Sequence, residues 1–139
     1  DLLQTTLGSC IGISFLWRQK SVFGLAHCLL PLSPEASCSI GAKYVDQAVE
    51  SLIRLMRIAP ENFAEIEVHI AGGGDMFPDL SNKRARGIGS KNAASVRKQL
   101  SLRGIKIKKI STGGTCGRRM LLDCQEATVA IRDIGNGTK

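Results

Sequence analysis

The chain has 139 residues, 43% of them hydrophobic, and a net charge of +7. That is the length of one domain with enough apolar material for a core, and no stretch stays apolar for the roughly 18 residues a membrane-spanning helix needs. Five cysteines without a CxxC pair indicate neither a disulfide framework nor a zinc ribbon. With no signal-peptide pattern at the start, a soluble cytoplasmic protein with reduced thiols is expected.

The first informative stretch is Thr5-Thr6-Leu7-Gly8-Ser9-Cys10, which leads straight into a β-prone run, Ile11 to Leu16. A second apolar run, Val22 to Leu30, carries His27, and the polar Arg18-Gln19-Lys20-Ser21 separates the two. Antiparallel pairing of these runs would return the imidazole to the side of the thiol. A base must take a thiol proton within about 3 Å, or through one water. On pattern alone, a cysteine before an apolar strand is more often a small buried hydrophobe. His27 among Leu25, Ala26 and Leu29 is likewise more often a hydrogen-bonded core histidine.

Leu32 to Ser37 is a loop by composition. A helix is expected from about Ser39 to about Ile58, with Val45, Ala48, Val49, Leu52, Leu55 and Met56 at helical spacing and Pro60 ending it. Ile66 to Ile70 alternates as a strand, which turns His69 outward. Ala71-Gly72-Gly73-Gly74-Asp75 follows; without a GK[ST] ending it is no phosphate loop. It is expected to shape a wall of a cleft, with Met76 and Phe77 as apolar contacts. Asp79 to Ile88 is a basic loop holding Lys83, Arg84 and Arg86. A second helix begins at Gly89 or Ser90 and closes at Arg103-Gly104. Ile105 to Lys108 alternates again, Gly113-Gly114-Thr115 turns, and Met120–Leu122 with Thr128–Ile131 read as a terminal hairpin. Two helices and about seven strands, with the helices between strand pairs, predict a single α+β domain over 1–139: a mixed α/β sandwich with its helices packed on mixed sheets.

Charge is unevenly spread. Residues 1–70 carry 5 Lys/Arg against 7 Asp/Glu, and residues 71–139 carry 14 against 5. Such asymmetry suits a face for acidic surfaces. Aromatic residues are only 4%, too few for a base-stacking surface, and no nucleic-acid motif is present, so no nucleic-acid partner is expected.

In order along the chain stand Leu7-Gly8-Ser9-Cys10, Gly24-Leu25-Ala26-His27, Leu30-Pro31 and Lys43-Tyr44-Val45-Asp46. Gly72-Gly73-Gly74-Asp75-Met76-Phe77, Gly89-Ser90-Lys91-Asn92 and Gly113-Gly114-Thr115-Cys116-Gly117-Arg118-Arg119 follow. Taken together, this ordered set resembles the CheD family, the chemoreceptor glutamine deamidases of bacterial chemotaxis. The resemblance implies a protein-glutamine glutaminase with Cys10 as nucleophile and His27 as its base. It also implies a supporting threonine, for which Thr5 and Thr6 are both available, and residues upstream of the cysteine motif beyond those present here. The Gly8-Ser9-Cys10 turn offers backbone N–H groups for an oxyanion. An imidazolium beside Cys10 would lower its thiol pKa. No metal and no cofactor are required. The implied substrate is the cytoplasmic helical domain of a chemoreceptor, with receptor methyl esters as a second substrate and a CheC-type phosphatase as protein partner. Gly73, Gly74, Met76, Phe77, Lys83, Arg84 and Arg118 are the expected cleft and substrate-binding residues, the basic ones steering an acidic receptor. Two alternatives share these features: a catalytically quiet binding adaptor, and a toxin-like deamidase of another protein.

Overall fold

The computed structural model describes residues 1–34, 39–76 and 87–135. Its strands are β1 (Leu2–Leu7), β2 (Ile11–Trp17), β3 (Val22–Cys28), β4 (Glu67–Gly72), β5 (Ile107–Thr112), β6 (Gly117–Asp123) and β7 (Thr128–Ile134). The helices are α1 (Val45–Leu55) and α2 (Ile88–Leu102), with short 3-10 turns at Arg18–Lys20 and Pro60–Glu65. A four-stranded sheet runs in the order β3-β2-β4-β5, and a three-stranded one in the order β1-β6-β7. All pairings are antiparallel except β4 with β5. The α+β sandwich of mixed sheets and two helices is the observed architecture.

The layers follow from the two-residue period of the strands. In β2, Ile11, Ile13, Phe15 and Trp17 point one way and join Val45, Val49, Val96 and Leu100 of the helices in the main core. Each fully buried side chain of this kind contributes roughly 1.5–3 kcal/mol. Gly12 and Ser14 point the other way, onto the three-stranded sheet. A Cβ at Gly12 would meet Leu7 and Met120, and Ser14 Oγ lies 3.4 Å from Met120 Sδ. The four-stranded sheet is therefore covered on both faces, which is why every residue of β2 is buried. Between the two sheets runs a seam, with Leu7, Ala71 and Met120 at its centre.

Two expectations are corrected by this layering. His69 does not face solvent: it pairs with Ser14 on the seam side of the sheet, is 7% exposed, and places Nε2 2.7 Å from Glu67 Oε2. The alternation of β4 was read correctly, but its polar face is roofed by a second sheet. The first helix begins at Val45, not near Ser39. The backbone before it laces the exit of β3 instead: Leu29 and Leu30 N–H both donate to Lys43 C=O, and Val45 N–H donates to Leu30 C=O.

Candidate active site

Cys10 sits in the tight turn between β1, which pairs with the small sheet, and β2, which is central in the large one. The chain must cross the seam within three residues, so Gly8 and Ser9 are small and the turn is held by main chain. Gly73 N–H donates to Cys10 C=O at 2.9 Å, Gly74 N–H to Gly8 C=O at 3.0 Å, and Asp75 N–H to Gly114 C=O at 2.8 Å. These bonds require backbone approach without side chains. A Cβ at Gly72 (φ +109) would land on the Cys10 carbonyl oxygen, and one at Gly73 (φ +64) would lie 2.9 Å from the Gly89 oxygen. The glycine run is thus the frame of the cysteine turn. Met76, half-buried, lies over that turn, with Cγ 3.0 Å from where a Gly8 Cβ would stand.

His27 pairs directly with Gly12 across the β2–β3 ladder. Cys10 precedes Gly12 by two residues, just beyond the ladder, so strand alternation puts the thiol and the ring on the same, seam-facing side of the sheet. Cys10 packs against the seam cluster of Leu7, Ala71 and Met120. Cys28, next to His27 in sequence, is turned into the main core at 0% exposure.

Of the two threonines, Thr5 carries the contact: its Oγ1 lies 2.6 Å from His27 Nδ1. Strand alternation in β1 puts Thr5 and Leu7 toward the seam and leaves Thr6 exposed on the outer face. Residues from the edge strands of two different sheets therefore meet through Thr5 and His27. In the tautomer whose Nδ1–H donates to the threonine oxygen, the Nε2 lone pair is left for the proton of a neighbour.

Burial pushes the Cys10 thiol above its ordinary pKa, with its own backbone N–H pulling the other way. Burial thus works against the lowered pKa that an imidazolium neighbour would give. Cys28 is pushed up to about 12, by burial first and then by the neighbouring Cys10 charge.

Arg118 is not an exposed steering charge. It points into the seam at 8% exposure, where Nη1 donates to Gly72 C=O at 3.1 Å and Nε to Ser111 Oγ at 3.1 Å, with Asp133 Oδ1 3.6 Å away. It braces the glycine frame. Phe77, Lys83, Arg84 and Arg86 lie outside the described residues. Among the described residues no group of three or more His, Cys, Asp or Glu is placed to hold a metal, and no helix is long and apolar enough to cross a membrane.

One residue of the site was not singled out from the sequence. Asn92 in α2 is fully buried, and its Nδ2 donates to Ser9 C=O at 2.9 Å and to Leu29 C=O at 3.0 Å. The signal was present: Asn92, Val96 and Leu100 follow one another at four-residue spacing, which places an amide on the helix's apolar stripe.

A thiol and an imidazole on adjoining strands, the ring braced by a hydroxyl, make an α+β protein carrying the side-chain set of thiol hydrolases. Comparison with known proteins narrows that class. The model of the family described as CheD chemotactic sensory transduction matches residues 29–133. The chemoreceptor glutamine deamidase CheD of Bacillus subtilis (strain 168) is 34% identical over 143 residues, covering 100% of this chain and 86% of that protein. A probable chemoreceptor glutamine deamidase CheD of Thermococcus kodakarensis is 37% identical over 132 residues, covering 94% and 81%. Another, CheD 2 of a Ruegeria species, is 32% identical over 150 residues, covering 96% and 84%. The chain belongs to the CheD family.

Proposed function

We propose that this chain deamidates glutamine side chains on the cytoplasmic helical domain of chemoreceptors, with Cys10 as nucleophile and His27 as base. The observation that carries the chemistry is the 2.6 Å contact between Thr5 Oγ1 and His27 Nδ1, supported by the pairing of His27 with Gly12, two residues after Cys10. Family membership supports the substrate.

His27 takes the Sγ proton, and sulfur attacks the carboxamide carbon. The carbonyl electron pair moves to oxygen and returns as the C–N bond breaks, and ammonia leaves with the proton from His27. Water, deprotonated by the same imidazole, then adds to the thioester and releases glutamate and the thiol. The net reaction is amide plus water to carboxylate plus ammonium. A methyl ester follows the same path with methanol leaving, so receptor methyl esters are a second substrate. A CheC-type phosphatase is the expected protein partner. Intact mass of a receptor cytoplasmic fragment after incubation tests the reading: each glutamine converted adds about one dalton, as replacing NH2 by OH requires. An unchanged mass with a folded protein would leave a binding adaptor as the better account.

A further inference from the structure

The β2–β3 ladder ends at Ile11 and Cys28, and beyond it Leu29 N–H turns away to Lys43. Two carbonyls at that frayed end, Ser9 and Leu29, have one donor in common, the NH2 group of Asn92. Asn92 Oδ1 is buried with no partner among the described residues. The amide is therefore held by what its NH2 does, and a buried polar group kept with half its capacity unmet calls for an explanation.

The Ser9 carbonyl and the Cys10 N–H belong to one peptide unit. In a trans peptide the two point in opposite directions, and no cis peptide bond occurs among the described residues. Asn92 approaches from α2, which packs with Ile11 on the helix side of the sheet. Drawing the Ser9 oxygen to that side turns the Cys10 N–H to the other, where the thiol lies against the seam cluster. No main-chain acceptor among the described residues takes that N–H, and it bears on its own sulfur.

We propose that Asn92 is a positioning residue that, by holding the Ser9 carbonyl, aims the Cys10 N–H at the oxyanion formed when the thiol adds to the substrate amide. The inference rests on the amide-hydrolysis reading above and names which backbone donor serves it. As sulfur bonds to the carboxamide carbon, the negative charge gathers on oxygen beside Cys10. An N–H fixed beforehand stabilises that charge without reorganisation. Asn92 itself touches neither substrate nor sulfur.

The test compares two reactions of the same thiol. Deamidation passes through an oxyanion, whereas alkylation by iodoacetamide does not. Asn92→Asp keeps the shape and removes the donors, and Asn92→Ser serves if the carboxylate prevents folding. Either variant should lower kcat on a receptor fragment by about 10- to 100-fold, somewhat less than outright loss of an oxyanion donor. KM should stay within about twofold, and Cys10 should still be alkylated at a rate within a few-fold of the unaltered protein, its pH profile moving upward if at all because the same N–H bears on the sulfur. Unchanged kcat, or parallel loss of alkylation and turnover, overturns the proposal; the second result would make Asn92 a packing residue. The unaltered protein gives an independent reading by NMR, using a peptide whose glutamine carboxamide is replaced by an aldehyde. On formation of the hemithioacetal the Cys10 amide proton should move downfield, and an unmoved resonance overturns the assignment. If the unaltered protein neither turns over the receptor nor captures the aldehyde, the amide-hydrolysis reading itself fails.

Discussion

Thr5 and Thr6 are adjacent and chemically identical, and only Thr5 touches His27. Strand alternation makes that choice, and it requires knowing which face of β1 is covered, something a local pattern does not contain. Thr5→Val keeps the shape and removes the hydroxyl, so kcat for deamidation should fall about tenfold, a fraction of what a general base supplies. Thr6→Val, on the outer face, should leave kcat within about twofold. Equal effects in steady-state kinetics would remove Thr5 from the site. The thiols differ as sharply. Burial raises Cys10 above its ordinary pKa, so it holds less thiolate at neutral pH than a free cysteine. Its alkylation by iodoacetamide should keep rising with pH past 9, where a lowered pKa would have given a plateau near neutrality. Cys28, pushed up to about 12 and fully enclosed, should stay unlabelled at pH 9 while the protein is folded. Peptide mapping by mass spectrometry checks both.

Among the elements, β4 and its neighbours show how an ion cluster ties strands together. Glu67 accepts from Arg18 Nε at 3.2 Å and Nη2 at 3.0 Å, lies 2.7 Å from His69 Nε2, and has Lys108 Nζ at 3.6 Å. The Arg18 contact above all holds its carboxyl at about 2, against an ordinary 4.5. A carboxylate with a depressed folded pKa stabilises fully above its unfolded value, and that contribution is lost as pH falls through the folded one. The urea midpoint should therefore drop as pH falls from about 5 toward 2. In Glu67→Gln the midpoint should start lower at neutral pH and fall less steeply; an identical slope would show the cluster to be idle. The β2–β3 hairpin was legible from two apolar runs around a polar break, and α2 from the spacing of Ala93, Val96 and Leu100. What stayed hidden were contacts made by polar groups facing inward. His69 and Arg118 look like surface residues until the layer above them is known, and the partners of Asn92 are hidden even though its place on the apolar stripe is not. The late start of α1 is hidden for the same reason, since Lys43 spends its carbonyl on the end of β3.

For the whole molecule, the three-layer order of helices, large sheet and small sheet decides where chemistry can occur. The candidate site lies at the edge of the seam, where β1 of one sheet and β3 of the other come together through Thr5 and His27. The strands other than β1, and both helices, were readable one at a time. Their division into two sheets was not, because β1 reaches β6 across more than a hundred residues of chain. Net charge acts at this scale as well. With +7 overall, association with the receptor domain proposed above should, where that surface is acidic, be steered by a field screened over about 8 Å at physiological salt. Stopped-flow or steady-state assays should find kcat/KM falling as salt rises, with kcat nearly constant. A kcat/KM that is flat with ionic strength would assign the positive excess to solvation alone.

The glycine frame behind Cys10 has a consequence for inheritance. Gly72 and Gly73 act through the absence of a Cβ, and so does Gly89, whose Cβ would fall on the Gly74 carbonyl. Glycine is encoded by GGN, so any change in the first two bases of these codons introduces a side chain or a stop, while the third base drifts silently. A saturation library read by sequencing should therefore show these three positions rejecting alanine as firmly as tryptophan. Exposed positions such as Leu55 and Leu102 should accept most of the alphabet. Positions that act only through the side chain they lack would then be among the least forgiving of copying errors.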